Sequence, residues 1–589
     1  MKQKFYKDLQ VEAQTQLNTL KKTSTRYMLY RTLCFFALIF ALAAGYDGMT
    51  SADISGAFLF FLFIWLIHQH NQIKAHIRFV QNMLTVTEKY LSHFHDDWQQ
   101  LPDKGDEFIH PDRPQDIDLH IFGKASLFQY LCCARTALGR KKLAQALSVT
   151  PPSTSTIRQR QDAVAELIKR QRLCVELLAL NQQLPANHDT APLLKELTTD
   201  HQRHIRHILQ RTAWLLPFLT FISLALALAG LLAWHVSGLL ILLQFAIAMV
   251  FHRQNQAILA PLHTFNQELH TYLSLFIRIG ETNFTSPVLQ QLATDLSGNG
   301  APALRKLAWL TDRANLCRNL FFFVLGNGLL LWDCHCATYF SRWQDNAAQH
   351  LGGWLNKWAE MELCLSLAMV GHTRQQHCFP QLLTERPHLA TTALTSLLIR
   401  EDIAIPNDTT MGSETRIITG SNMSGKTTYM RTLASSLVLA YAGAPVCAQT
   451  FICSPLHIFT SIQVHDDQSQ GISTFYAELL RIKQMIDFSK KEQPMLICID
   501  EIFKGTNSAD RIVGAREAIS RLTRPYAITL VSTHDFELCD LPSPNEVPVT
   551  NYHFAEYYED NKIKFDYKIK NGRCQTTNAQ YLLKMAGIL

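Results

Sequence analysis

Between Ile417 and Arg431 the chain reads IITGSNMSGKTTYMR. Gly420, then four residues, then Gly425-Lys426-Thr427 is the spacing of a phosphate-binding loop. A polyphosphate carries several negative charges and must be held without steric clash. Glycines let the backbone curl so that successive N–H groups point at phosphate oxygens. In such a loop Gly420, Ser421, Asn422, Met423, Ser424, Gly425 and Thr428 surround the phosphates. Lys426 reaches the outer phosphates, and the Thr427 hydroxyl is a ligand for Mg2+. A helix beginning near Lys426 aims its positive dipole end at the same charge. These residues predict binding of ATP together with Mg2+.

Two further stretches supply the remaining chemistry. Pro494 to Glu501, PMLICIDE, is an apolar run ending in two carboxylates. A buried parallel strand looks like this when it delivers Asp500 to a metal shell and Glu501 to an attacking water. Tyr526 to His534, YAITLVSTH, is a second apolar run, and it ends on a histidine. His534 is suited to sensing the outer phosphate or polarising the water. With Arg416 to Thr419 as the strand ahead of the loop, three strands each end on a polar candidate. That pattern places one site at the carboxyl edge of a parallel sheet.

At these residues the sequence resembles the MutS family of DNA mismatch-repair ATPases. Gly420 to Arg431 resembles the family's phosphate loop, including Asn422 and Met423. Gly471-Ile472-Ser473-Thr474-Phe475, after Asp466 and Asp467, resembles its signature segment. Asp500-Glu501 through Gly505-Thr506-Asn507-Ser508 resembles its metal-binding strand and loop. Ser532-Thr533-His534 with Glu537-Leu538 resembles its histidine switch, and Pro406-Asn407-Asp408 the motif ahead of the ATPase. Upstream, Leu119 to Leu147 and Arg160 to Val164 look like the start of the MutS core. Trp354 to Ala368, with Glu360 and Glu362, looks like the helix leading from that core into the ATPase.

The resemblance implies that two ATPase domains pair as a homodimer. Each would close its partner's nucleotide with the signature serine, here Ser473, which by itself reads only as a helix cap. The family's mismatch-reading domain should precede the core, and its DNA clamp should interrupt the core helices. No wedge motif for reading a mismatch is visible here, and an apolar pair of segments occupies the middle of the core.

Composition agrees with a membrane protein. Hydrophobic residues make up 47% of the 589 residues and charged residues only 18%, below the roughly 25% usual for soluble domains. The formal net charge of +6 is mild for a dedicated nucleic-acid binder. The 14 cysteines have no regular spacing, which suits a reduced, cytosol-facing protein. Cys334-His335-Cys336 and His377-Cys378 lack standard zinc spacing.

Met28 to Gly45 and Ile54 to Ile67 are apolar and separated by a short polar loop. Ala213 to Ala233 and Val236 to Phe251 form a second such pair. Lysines and arginines flank both pairs on the side away from the tight loops, as the positive-inside bias requires. A signal peptide is the rival for the first pair, because Ala41-Leu42-Ala43 resembles a cleavage site, but its basic region would be unusually long. Asn319 to Trp332 is apolar but short and interrupted by Gly326-Asn327, and reads as a buried core helix.

The chain therefore divides into a basic cytoplasmic tail (1–27), transmembrane hairpin 1 (28–68) and a helix with linker (69–115). The first part of a MutS-like core follows (116–212), then transmembrane hairpin 2 (213–252). A second helical core or lever part (253–377) leads into a MutS-type ATPase domain (378–589). The fold class is multidomain: α-helical membrane hairpins and an α-helical core, followed by an α/β P-loop ATPase domain of the ABC type. The expected protein sits in the inner or cytoplasmic membrane with its core and ATPase facing the cytoplasm. Three functions compete: an ATPase acting on DNA at the membrane, one acting on a protein or lipid partner with DNA binding lost, and a transporter. The spans contain almost no polar residues to line a path, which disfavours transport.

Overall fold

A computed structural model describes residues 2–46, 50–199, 206–383, 386–463, 474–503, 508–559 and 562–574. Two long antiparallel helices, Lys2–Tyr46 and Thr50–Ser92, open the chain. The expected tail is thus the first half of a continuous helix. Its lower part is docked: Tyr6 stacks on Tyr90 with ring centroids 4.5 Å apart. Lys2 Nζ donates to the carbonyls of Gly371 and Arg374, at the end of the helical half. The upper part carries exposed Leu33, Phe36, Phe40, Phe58 and Phe61. Exposed aromatics in such numbers are unfavourable in water and ordinary in lipid.

The second hairpin is Arg206–Leu228 and Trp234–Thr264. Its first arm ends earlier than the sequence reading placed it. The apolar helical stretch is Ala213–Leu228, and residues 229–233 form the turn, with Gly230 at φ +72°. Gln244 joins the arms by donating to the Leu216 carbonyl at 3.3 Å and to the Thr220 hydroxyl.

The two core segments singled out by resemblance meet in space. Glu362, on helix Gln349–Leu367, is buried and accepts from the backbone N–H of Arg135 at 2.7 Å and of Thr136 at 3.2 Å. Asn181 Nδ2 and the Thr136 hydroxyl complete its shell. Burial raises the Glu362 pKa, and these four donors oppose the rise. Asn319–Trp332 corrects the sequence reading. Helix Leu320–Leu330 is not sealed in a core: Leu320 is 77% exposed and Phe321 74%. One apolar core runs from Tyr6 through Trp358 to Leu437 and Phe554, so the helical and α/β halves share packing.

The α/β half holds ten described strands: β1 Gln381–Leu382, β2 Leu389–Leu394, β3 Asn407–Met411, β4 Glu414–Thr419, β5 Thr450–Cys453, β6 His457–Ser461, β7 Met495–Asp500, β8 Ala527–Ser532, β9 Val549–Glu559 and β10 Lys562–Asn571. Four form a small sheet in the order β1-β5-β2-β3, and six form the main sheet in the order β10-β9-β4-β8-β7-β6. β4, β8, β7 and β6 are parallel neighbours. Helices Lys426–Ala442, Thr474–Ser489 and Ser508–Leu522 connect them. β7 and β8 are buried almost throughout, which is why they read as unbroken apolar runs.

Candidate active site

The phosphate loop leaves β4 at Thr419. A Cβ on Gly420, at φ +146°, would stand 2.9 Å from both the Phe554 carbonyl and the Ser424 hydroxyl, so only glycine fits. Gly425 caps the following helix at φ +108°. Lys426 Nζ donates across the loop to the carbonyls of Gly420 at 2.7 Å and Ser421 at 2.9 Å. Among the described residues the buried hydroxyls of Ser421 and Ser424 have no partner. A polyphosphate oxygen is the acceptor those two hydroxyls, the lysine and the helix N-terminus would suit.

The ends of β7 and β8 come to the same place. The Thr427 hydroxyl donates to Asp500 Oδ2 at 2.8 Å, and the Ser532 hydroxyl donates to Asp500 Oδ1. A hydroxyl and a carboxylate side by side are the hard oxygen set that Mg2+ prefers. The donors present therefore fit the metal, with Thr427 and Asp500 as the residues that would hold it.

Glu501 follows in the left-handed region at φ +54°, and its N–H bonds the Ser532 carbonyl at 3.0 Å. This turn swings its side chain away from Asp500 toward His534. His534 Nε2 lies 3.1 Å from Glu501 Oε1 and 2.9 Å from Asn422 Oδ1. One imidazole N–H thus faces the carboxylate of β7 and the amide of the phosphate loop at once. Both Glu501 and His534 remain partly open to solvent, as a site that activates water requires. Around them, Arg511 grips Asp535 through two bonds of 2.9 and 2.7 Å, and Glu478 accepts from the Phe503 N–H at 2.6 Å. Ser473, with the rest of 464–473, lies outside the described residues, as do 504–507.

Residues 416–588 match the family model for MutS domain V. The chain carries a MutS domain V. The match supports membership of the MutS family and agrees with an ATP-hydrolysing head. It begins inside β4, so β1 to β3 and everything upstream lie outside it.

Two features of the structure escaped the sequence reading. A cavity of about 370 Å³ adjoins Gly425 and Thr428 and is lined by Ile399, Ile403, Ile405, Tyr429, Phe554 and Tyr567. It is an apolar slot of purine size beside the phosphate loop. Tyr567 hangs over Gly425, where a Cβ would come within 3.2 Å of its ring. Asn407, from the Pro406-Asn407-Asp408 motif, holds that tyrosine's strand: its Nδ2 donates to the Tyr567 carbonyl and its Oδ1 accepts from the Ile569 N–H, both at 2.9 Å. Nothing in local spacing links Tyr567 to Gly425.

The second missed feature is Asp118. It is fully buried, and its carboxylate accepts from the Thr460 hydroxyl and from the N–H groups of Ile462 and Gln463. It sits at the start of the core segment, three residues past the linker. Its acidic, Pro-rich surroundings read as solvent-facing.

Proposed function

We propose that this chain is a membrane-anchored, Mg2+-dependent ATPase of MutS type whose heads pair and close on ATP. The observation that carries the reading is the convergence of Lys426, the Thr427–Asp500 pair and the His534 contact to Glu501 and Asn422 at one sheet edge. Lys426 would shift from the loop carbonyls to the outer phosphates. Mg2+, when bound, neutralises charge across the phosphate oxygens. Glu501 orients the attacking water and accepts its proton. His534 holds the Glu501 carboxylate in place and reports through Asn422 whether the loop is filled. The apolar slot under Tyr567 takes the adenine. Ser473 of one head would complete the nucleotide site of the other.

The membrane part of the proposal is supported by three helices long and apolar enough to cross a bilayer: Lys2–Ala44, Ile54–Ser92 and Trp234–Thr264. Hydrolysis in the heads would move the helical core and, through it, the second hairpin. The substrate of that motion is DNA at the membrane surface, in repair or recombination. A second reading, a protein or lipid partner, is favoured by one observation. The element interrupting the core exposes Trp214, Phe218, Leu239 and Leu242 where a DNA clamp would expose cations.

The test is the ATPase rate of the full chain in nanodiscs, with Glu501→Gln as the blank, against matched, mismatched and branched DNA over a salt series. Stimulation that weakens with salt, as phosphate contacts must, supports the DNA reading. Robust hydrolysis indifferent to every DNA supports the membrane partner. No hydrolysis above the blank overturns both.

A further inference from the structure

Helix Leu320–Leu330 carries no charged residue, and Leu320, Phe321, Val324 and Leu325 are all exposed along it. Such a face needs a cover, and four observations name lipid. First, the helix lies against Trp234–Thr264, the arm of the second hairpin long and apolar enough to cross a bilayer. Phe323 meets Phe245 and His252 at centroid distances of 6.2 and 5.1 Å, and Gly328 faces Ile241. Second, this track from His252 to Ile241 spans eleven residue-to-residue steps of that arm. At 1.5 Å per residue it covers about 16 Å, close to half of a hydrocarbon core of about 30 Å.

Third, the chain then turns back. Helices Leu320–Leu330 and Trp332 onward meet at 81°, with Leu331 in the left-handed region at φ +48°. The bend is closed by an internal polar pair: Asn327 Nδ2 donates to Asp333 Oδ2 at 3.3 Å, and the Asp333 N–H donates to Asn327 Oδ1 at 3.0 Å. Both side chains are buried. The Asp333 backbone N–H at the break is thus satisfied by protein, as broken backbone at membrane depth requires. After the bend Leu331 packs with Ala213 and Ala248, back toward the foot of the hairpin. Fourth, the foot is cationic and aromatic. Arg318 is exposed one residue before the helix cap, and Arg313 stacks on half-exposed Trp309 at 3.5 Å. Arginine and tryptophan are the residues that settle at a headgroup interface.

We infer that Leu320–Leu330 is a re-entrant element that dips into the cytoplasmic leaflet beside the second hairpin and returns on the same side. It rests on the membrane reading of that hairpin. The inserted surface is joined rigidly to the helical core, so head motion would reach the leaflet through it as well as through the hairpin.

The experiment places a photoreactive benzophenone amino acid at Phe321, at Leu325 or, as a control on the hairpin, at Leu242. The full chain is reconstituted in phosphatidylcholine–phosphatidylglycerol vesicles, irradiated and weighed intact. The expected result is a mass gain of one phospholipid at Phe321 and Leu325, within about two-fold of the yield at Leu242. Adducts at Leu242 alone overturn the inference and leave the hairpin reading standing. A doubled protein mass from Phe321 overturns it in favour of a second copy of the chain. No lipid adduct at any position overturns the hairpin reading and the inference together. A companion measurement uses Arg318→Cys and Arg342→Cys, read as labelling by an impermeant maleimide above the unsubstituted chain. Both must label from the same face of the membrane; labelling from opposite faces would make the element a span and overturn the re-entrant path.

Discussion

Arg431, on the second turn of the phosphate-loop helix, donates its Nε to the backbone carbonyl of Asp118 at 2.7 Å. The same Asp118 holds Arg481 of helix Thr474–Ser489 through its carboxylate at 3.2 Å. One residue of the helical half therefore touches the helix that begins at the nucleotide loop and the helix that follows the signature segment. Burial lowers the Arg431 pKa, and the charges of Asp118 and Asp500 oppose that shift. Arg431 thus also feels the residue assigned to the metal.

This arrangement predicts a strong effect from a residue remote from the chemistry. Asp118→Ala leaves buried donors and Arg481 without their acceptor, a loss of about 3 kcal/mol for a broken buried pair. Asp118→Asn retains the shape and loses less. The expected outcome is a clear fall in melting temperature for the alanine variant and a smaller fall for asparagine. In both, ATP binding should survive better than turnover, because the loop itself is untouched. Melting curves and nucleotide titrations on the same preparations check this.

The carboxylate proposed to activate water has its own signature. Glu501→Gln keeps the hydrogen bond to His534 and removes the proton acceptor. ATP affinity should stay within about three-fold, while single-turnover hydrolysis falls about 10²- to 10⁴-fold. His534→Ala leaves Glu501 in place but unpositioned and should cost less, about 10- to 100-fold. Equal losses of binding and hydrolysis in Glu501→Gln would remove the carboxylate from this role.

The meeting of these groups was readable in the chain, because each sits at the end of an apolar run. A strand buried on both faces has one face-independent signature, and its last polar residue marks the sheet edge. The positions of Asp500, Glu501 and His534 at that edge are legible in this way, and that of Glu362 by its place in a recognisable helix. What stayed hidden depends on contacts between distant segments. Tyr567 lies about 140 residues beyond Gly425, on a hairpin of unremarkable composition. Asp118, just past the linker, looks like a solvated acid until β6 and Arg481 close over it. Leu320–Leu330 has the same apolar content whether protein or lipid surrounds it, so composition could not choose between a core helix and an exposed one.

The slot under Tyr567 makes a separable prediction. Base–aromatic stacking is worth about 1–3 kcal/mol. Tyr567→Ala should therefore raise the KM for ATP about 5- to 100-fold while leaving kcat within about two-fold, since no catalytic group is touched. Tyr567→Phe should be close to unchanged. Loss of discrimination between ATP and inorganic triphosphate in the alanine variant would be the corroborating readout, and an unchanged KM would move adenine elsewhere.

Acid should loosen the joint between the helical core and the head before it affects the sheet. His372 lies in helix Met369–Thr373, buried at that joint. Its Nε2 faces the Leu167 carbonyl at 3.2 Å and its Nδ1 faces the Tyr90 hydroxyl at 3.3 Å. A neutral ring satisfies both, donating to the first and accepting from the second. Burial, helped by the nearby Lys2 charge, lowers its pKa to about 4. An unfolded histidine takes its proton near pH 6.5. The stability from keeping His372 neutral is thus complete above pH 6.5 and is lost progressively as the pH falls from 6.5 through about 4. Thermal melts of the full chain in detergent should show a declining midpoint across that window. His372→Gln, which can donate to Leu167 without titrating, should start from a lower midpoint at pH 7.5 and fall less steeply. A parallel decline in the two proteins would mean that another group carries the acid sensitivity.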